Sequence, residues 1–155
     1  MKKILVFDMD KTITDLYGVN GWLEMLRAED STPYKIAKPI YDMDILNCLL
    51  NILKSVGYEV IVTTWLAKGS SKKYDNEVAK VKKEWLDKYG FPYDEINAVP
   101  YGYEKSLCTK SKGGFQILFD DDANVRASWS NGMTVDANNN ILEFLSQLIY
   151  EIYEI

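Results

Sequence analysis

Five short apolar runs set the frame of this 155-residue chain: Ile4-Leu5-Val6-Phe7, Glu59-Val60-Ile61-Val62-Thr63, Ile96-Asn97-Ala98-Val99, Phe115-Gln116-Ile117-Leu118-Phe119 and, more weakly, Met133-Thr134-Val135. The runs are continuous instead of alternating with polar residues, which suits strands buried on both faces, as in a parallel sheet. Helical patterns lie between them. Ile45, Leu46, Leu49, Leu50, Leu53 and Val56 recur at spacings of three and four and stop at Gly57, a natural C-terminal cap. Cys48 falls inside that pattern and is expected to act as a small hydrophobe. A second helix is predicted over about Ser71 to Tyr89, with Val78, Val81, Trp85 and Tyr89 as its apolar stripe and Gly90 as its stop. A third is predicted over Ala123 to Trp129, and a fourth holds Ile141, Leu142, Leu145, Leu148, Ile149 and Ile152. Strands alternating with helices of this length imply an α/β fold, a three-layer, doubly wound, Rossmann-like parallel sheet with helices on both faces. In that architecture a ligand sits at the carboxyl ends of the strands.

The chain is expected to form one domain over 1–155, a length that a single core can serve. One piece breaks the alternation. Residues 16–41 hold Gly18, Gly21, Pro33 and Pro39 around a short helical candidate, Trp22 to Arg27, and are expected to form a small flap or cap. Tyr17, Trp22 and Tyr34 in this insert either stack on a base or close a small core.

Charge and residue usage remove several classes of function. A net charge of -5 argues against broad, sequence-independent nucleic-acid binding, which needs an excess of Lys and Arg. The stretch holding Lys68, Lys72, Lys73, Lys80, Lys82, Lys83 and Lys88 is locally basic, and reads first as a solvated helix face and second as a polyphosphate or nucleic-acid contact. The chain has no histidine, so Ser-His-Asp, Cys-His and His-ligated zinc chemistry are all excluded. Cys48 and Cys108 lack metal-type spacing and read as reduced thiols, which points to the cytoplasm. Met1-Lys2-Lys3 and the run after it are cut short by Asp8 and Asp10, too early for a signal sequence, and no other stretch approaches a membrane span.

Polar residues at the ends of the predicted strands form an ordered set. The first strand ends in Asp8-Met9-Asp10-Lys11-Thr12, the second in Thr63-Thr64 and the fourth in Asp120-Asp121-Asp122, while Lys105 lies in the connection after the third. In a parallel sheet these groups gather at one edge, where so many negative charges call for a cation. Mg2+ suits an all-oxygen donor set that leaves room for water and phosphate. An ionised carboxylate beside it can attack phosphorus, and Asp8 is the candidate nucleophile. Asp10, two residues on, is placed to protonate a leaving alkoxide and then to activate water. Lys105 and a threonine hydroxyl would steady the transferring phosphoryl group. Two choices stay open at this level. Thr63 and Thr64 are adjacent, and only strand register selects between them; Lys110 is an alternative to Lys105. Asp122 reads as the cap of the following helix.

The ordered set Asp8-Met9-Asp10-Lys11-Thr12, Thr63, Lys105 and Asp120-Asp121 resembles the haloacid-dehalogenase-like hydrolase superfamily, over most of the chain. The short insert and the Phe119-Asp120-Asp121 ending are most similar to its small, nearly capless nucleotidase-like and phage-type members. The resemblance implies a phosphatase working through an aspartyl-phosphate, with Asp8 as nucleophile, Asp10 as acid and base, Thr63 on phosphate and Lys105 as clamp. It also implies Mg2+ held by Asp8, the Asp10 carbonyl and Asp120, with Asp121 assisting. The expected partner is a small phosphorylated substrate, a nucleotide first, with a nucleic-acid end or a phosphoprotein as the alternatives and no membrane involved. Two rival activities fit less well. A dehalogenase has no leaving-group oxygen for Asp10 to protonate, and a phosphoryl-receiving signalling domain carries its acids, threonine and lysine in another chain order. A third rival, a non-catalytic phosphate-binding module of this fold, predicts binding without turnover.

Overall fold

The computed structural model describes residues 1–154; residue 155, the last of the expected domain, lies outside them. In chain order the strands are β1 (Lys3–Phe7), β2 (Thr14–Asp15), β3 (Lys38–Pro39), β4 (Tyr58–Trp65), β5 (Glu95–Val99), β6 (Phe115–Asp120) and β7 (Gly132–Asp136). The helices are α1 (Trp22–Arg27), α2 (Thr32–Ile36), α3 (Met43–Ser55), α4 (Lys72–Lys88), α5 (Ser106–Thr109), α6 (Ala123–Ser128) and α7 (Ile141–Tyr153). Every apolar run became a strand of one five-stranded sheet, ordered β5-β4-β1-β6-β7, with all neighbours parallel. This is the doubly wound α/β architecture the alternation implied.

Local chemistry fixes the element boundaries. The Asp42 carboxylate accepts from the amides of Asp44 and Ile45 at the start of α3, and the Ser71 hydroxyl accepts from Tyr74 at the start of α4. Past the C-terminal ends of these helices, Gly57 (φ 102°) and Gly90 (φ 71°) take positive φ angles that glycine adopts without a Cβ clash.

The two faces of the sheet are covered unequally. On one face Leu5, Phe7, Val60, Val62, Ile117 and Phe119 pack against Leu46, Leu50 and Leu53 of α3, Trp85 and Leu86 of α4, and Ile141 and Leu145 of α7. Phe7 stacks on Phe119 with ring centroids 4.5 Å apart. Truncating Leu50 there would cost about 2–5 kcal/mol. The other face carries Ile4, Val6, Ile61 and Leu118 beneath Val125 and Trp129, from α6 and its end, with Trp65 packed against them. This thin face leaves room at the carboxyl edge for polar groups.

Two details depart from the sequence reading. Cys48 is exposed: the buried stripe of α3 is Met43, Leu46, Leu50 and Leu53, and Cys48 turns away from it with Ile45. The insert is also more structured than a flap with one helix. Beta strands β2 and β3 pair antiparallel and close its base, α1 and α2 lie between them, and Leu16 and Tyr34 pack on Tyr74, Val78 and Val81 of α4. Tyr34 is thus a core residue of the insert. Among the described residues no helix is long and apolar enough to cross a membrane.

Candidate active site

Because β1 is central and its neighbours run parallel to it, the carboxyl ends of β4, β1 and β6 lie side by side where the chain diverges to opposite faces. Asp8 extends β1, with its amide donating to the Phe119 carbonyl at 2.9 Å. The chain then turns sharply. The amides of Thr12, Ile13 and Thr14 converge on the Met9 carbonyl at 3.2, 2.8 and 3.0 Å, and Lys11 takes a left-handed φ of 64°. Met9 goes into the core, and Asp8 and Asp10 are both left lining a cleft of about 700 Å³.

The carboxylates converge as the strand ends require. Asp8, Asp120 and Asp121 each offer an oxygen, and these oxygens all lie within 4.8 Å of one another. Lys105, at the N-cap of α5, is buried and donates to Asp8 Oδ1 and Asp120 Oδ2, both at 2.8 Å. Lys110 is exposed, and Lys112 pairs with Glu59 and Glu95 instead, so of these three lysines Lys105 is the one that bonds Asp8 and Asp120. Asp120 is fixed further by the Asp122 amide on its Oδ1 and by Arg126 on its main-chain carbonyl. Asp122 caps α6, accepting from Asn124 and Val125.

Burial and mutual repulsion set the protonation of this cluster. Burial pulls the Asp8 carboxyl upward, but the charge of Lys105, with hydrogen bonds from Asp121 and Lys105, outweighs it and holds Asp8 below the ordinary carboxylate value. Burial, with the charge of Asp8, pushes Asp120 up to about 6. Burial, the hydrogen bond to Asp8 and the charges of Asp8 and Asp120 push Asp121 up to about 7. Burial alone would lower Lys105, yet Asp8 and Asp120 drive it upward, so it is charged at neutral pH. The nucleophile candidate is therefore held ionised.

Strand register separates the two threonines. Val62 belongs to the thick face and Ile61 to the thin one, so Thr63 shares the face of Ile4, Val6 and Asp8, while Thr64 points to the opposite face. The Thr63 hydroxyl accepts from Asn97 at 3.4 Å, and the Thr64 hydroxyl accepts from Lys82 at 2.7 Å.

Two residues take roles at the site that the sequence did not assign to them. Thr12 is fully buried and donates to Asp8 Oδ2 at 3.0 Å, with Asp121 Oδ1 at 3.5 Å, which ties the loop after β1 to the end of β6. Lys82, read from sequence as part of a solvated face, is buried and bonds Asp10 Oδ2 at 2.9 Å. Its position held a signal: it lies four residues after Val78, three before Trp85 and four before Leu86, inside the buried stripe of α4.

Aromatic pairs flank the mouth of the cleft. Tyr17 and Trp22 of the insert meet edge to face at 4.7 Å, and Trp65 and Tyr101 meet at 5.0 Å. Burial, together with the charges of Asp10, Asp121 and Asp8, pushes the Tyr17 phenol up to about 12. Arg27 and Lys68 also line this cleft.

No family model and no curated protein matches the chain. Among solved structures, it is similar to a chain of the Pnkp1/Rnl/Hen1 RNA repair complex, with TM-score 0.58 and 18% identity over 88% of this chain. It spans only 42% of that longer chain. It is also similar to a D,D-heptose 1,7-bisphosphate phosphatase from Burkholderia thailandensis, with TM-score 0.53 and 14% identity over 94% of this chain and 99% of the other. At these identities the likeness establishes a shared fold.

Proposed function

We propose that the chain is a magnesium-dependent phosphohydrolase that cleaves phosphomonoesters through an aspartyl-phosphate on Asp8. The observation that carries this reading is the buried Lys105 ammonium shared by Asp8 and Asp120 at 2.8 Å each, at the carboxyl edge of the sheet. A nucleophile held ionised beside a fixed cation is what in-line phosphoryl transfer asks of a protein. That one matching structure is a phosphatase and the other an RNA repair complex supports the same class of chemistry.

An Asp8 oxygen attacks phosphorus as the ester P–O bond breaks, and the Asp10 carboxyl gives its proton to the departing oxygen. Asp10 then takes a proton from water, whose oxygen attacks the phosphorus and releases Asp8 and inorganic phosphate. Lys105 neutralises charge on the transferring group, and Thr63 supplies a hydroxyl on the face of Asp8. The donor set fits Mg2+, since the three clustered carboxylates are hard oxygen ligands with no histidine in the sequence. Asp8, Asp120, Asp121 and the Asp10 carbonyl would hold it. When bound, the ion screens the negative charge of substrate and carboxylates from one another.

A nucleotide is the favoured substrate, and residues 16–41 act as a small cap. Support comes from the two aromatic pairs at the mouth, since base stacking on such faces contributes about 1–3 kcal/mol. The second substrate reading, a phosphorylated nucleic-acid end, draws on the same pairs with Arg27 and Lys68. The test measures phosphate release with Mg2+ from nucleoside monophosphates, sugar phosphates, and oligonucleotides phosphorylated at either end. Nucleoside or oligonucleotide esters should exceed sugar phosphates in kcat/KM. Tight magnesium-independent binding without any turnover would sink the enzymatic reading in favour of a binding module.

A further inference from the structure

We infer that Lys82 is the positioning residue of Asp10, aiming from α4 the carboxylate that exchanges protons with the leaving group and with water. This rests on the phosphohydrolase reading above. The side chain of Lys82 is 1% exposed. A buried ammonium is tolerated only where its donors and its charge are matched. Here all three N–H donors have a partner: Asp10 Oδ2 at 2.9 Å, Thr64 Oγ1 at 2.7 Å and the Trp65 carbonyl at 2.9 Å. The Tyr34 ring, 5.1 Å away, lies against the same ammonium. A tripod of this kind fixes the nitrogen in direction as well as in place.

Asp10 needs such a hold. It sits just before Lys11, which has a left-handed φ, and among the described residues its one other side-chain hydrogen bond is from Thr14 to Oδ1 at 3.4 Å. Lys82 therefore commits Oδ2 to the protein and leaves Oδ1 with the capacity to meet a substrate oxygen or a water. A purely structural tie between α4 and the sheet would not need the charge. Val78, Val81, Trp85 and Leu86 of the same helix are buried and apolar, and a methionine would continue that stripe. What methionine cannot do is grip a carboxylate.

The test is a double-mutant cycle of K82M and D10N with Mg2+, using an alkyl phosphate and an aryl phosphate with a good leaving group. K82M should lower kcat on the alkyl ester about 10–100-fold at nearly constant KM, as expected for displaced acid-base catalysis. On the aryl ester it should give one burst of phenol per protein, followed by slow turnover. The double variant should stay within about twofold of D10N, because the lysine then has no proton-transferring partner to aim. Melting curves check that each variant folds, and K82Q replaces K82M in the cycle if K82M does not. A folded Lys82 variant with wild-type kcat on both esters, or losses that multiply with those of D10N, would overturn the inference. If the wild type releases no phosphate from either ester, the phosphohydrolase reading and this inference fall together; multiplying losses in an active protein remove this inference alone.

Discussion

Two buried lysines reach the carboxyl edge of the sheet from opposite sides. Lys105 comes from the four-residue helix α5 on the thin face and neutralises Asp8 and Asp120. Lys82 comes from the 17-residue helix α4 and holds Asp10, Thr64 and the end of β4. The first touches the groups proposed to bind metal and phosphate; the second touches the group proposed to move protons. The division shows how one sheet edge serves two chemical tasks: Thr63 and Thr64 face opposite sides of β4, and the turn that follows Asp8 takes Asp10 out of the strand, so each task gets its own cation from its own layer.

The largest effect expected along this divide is at the nucleophile. Asp8→Asn should reduce turnover by a factor on the order of 10³ or more on every ester, measured as phosphate release. Activity at the wild-type level would break the assignment of the Lys105 side as the reacting one. Next, Lys105→Met should lower kcat/KM about 10²–10³-fold for alkyl and aryl esters alike, whereas Lys110→Met should leave steady-state kinetics unchanged. Unlike the Lys82 variants, it should show no burst. Equal damage from Lys110→Met would mean that the clamp was misplaced.

A smaller contrast separates the threonines. Thr63→Val removes a hydroxyl from the face of Asp8, and Thr64→Val removes one partner of Lys82, each worth about 1 kcal/mol, or several-fold in rate. The first should raise KM for both esters; the second should lower kcat selectively for the alkyl ester. If the two variants behave identically, the two faces do not divide the chemistry.

The subtlest expectation concerns pH and metal. Folding raises Asp120 and Asp121 from 3.8 to about 6 and about 7, so between about pH 5 and 7, where the acids that folding lowers are largely ionised in both states, the folded chain binds more protons than the unfolded one. Stability of the metal-free protein should therefore fall as pH rises through that window. Asp8, lowered, contributes stability that is present above its ordinary value and lost only in stronger acid. The proposed Mg2+ site requires the folded state and these acids ionised, so the melting-temperature increment on adding Mg2+ should grow from pH 5 to pH 8 in a fluorescence melt. An increment that shrinks over that range, or none at all, would separate the acid cluster from divalent-ion binding.

How much was legible in the sequence differs between the two lysine sites. Asp8, Asp10, Asp120 and Asp121 followed from strand ends and chain order, because a parallel sheet delivers every strand's carboxyl end to one edge, while Lys105 stayed one of two candidates with Lys110. The roles of Thr12 and Lys82 did not follow. Thr12 belonged to the ordered set without a role of its own, and its partners Asp8 and Asp121 lie past the ends of different strands. Lys82 was masked by a helix rich in exposed lysines, although its spacing from Val78, Trp85 and Leu86 put it on the buried stripe. Cys48 shows the opposite error, a residue in an apolar sequence pattern that the helix turns outward.

The sequence by itself determined the order of strands and helices and the acids that meet at the sheet edge, because continuous apolar runs, helical spacing and caps are local properties of the chain. The tertiary structure alone decided which lysine reaches which acid, which threonine shares the face of Asp8, and which aromatic rings line the cleft. Those outcomes depend on strand register and on distances between segments as remote as 97 residues, the separation of Lys105 from Asp8. Long-range contacts of that kind are set by packing, which no local pattern encodes.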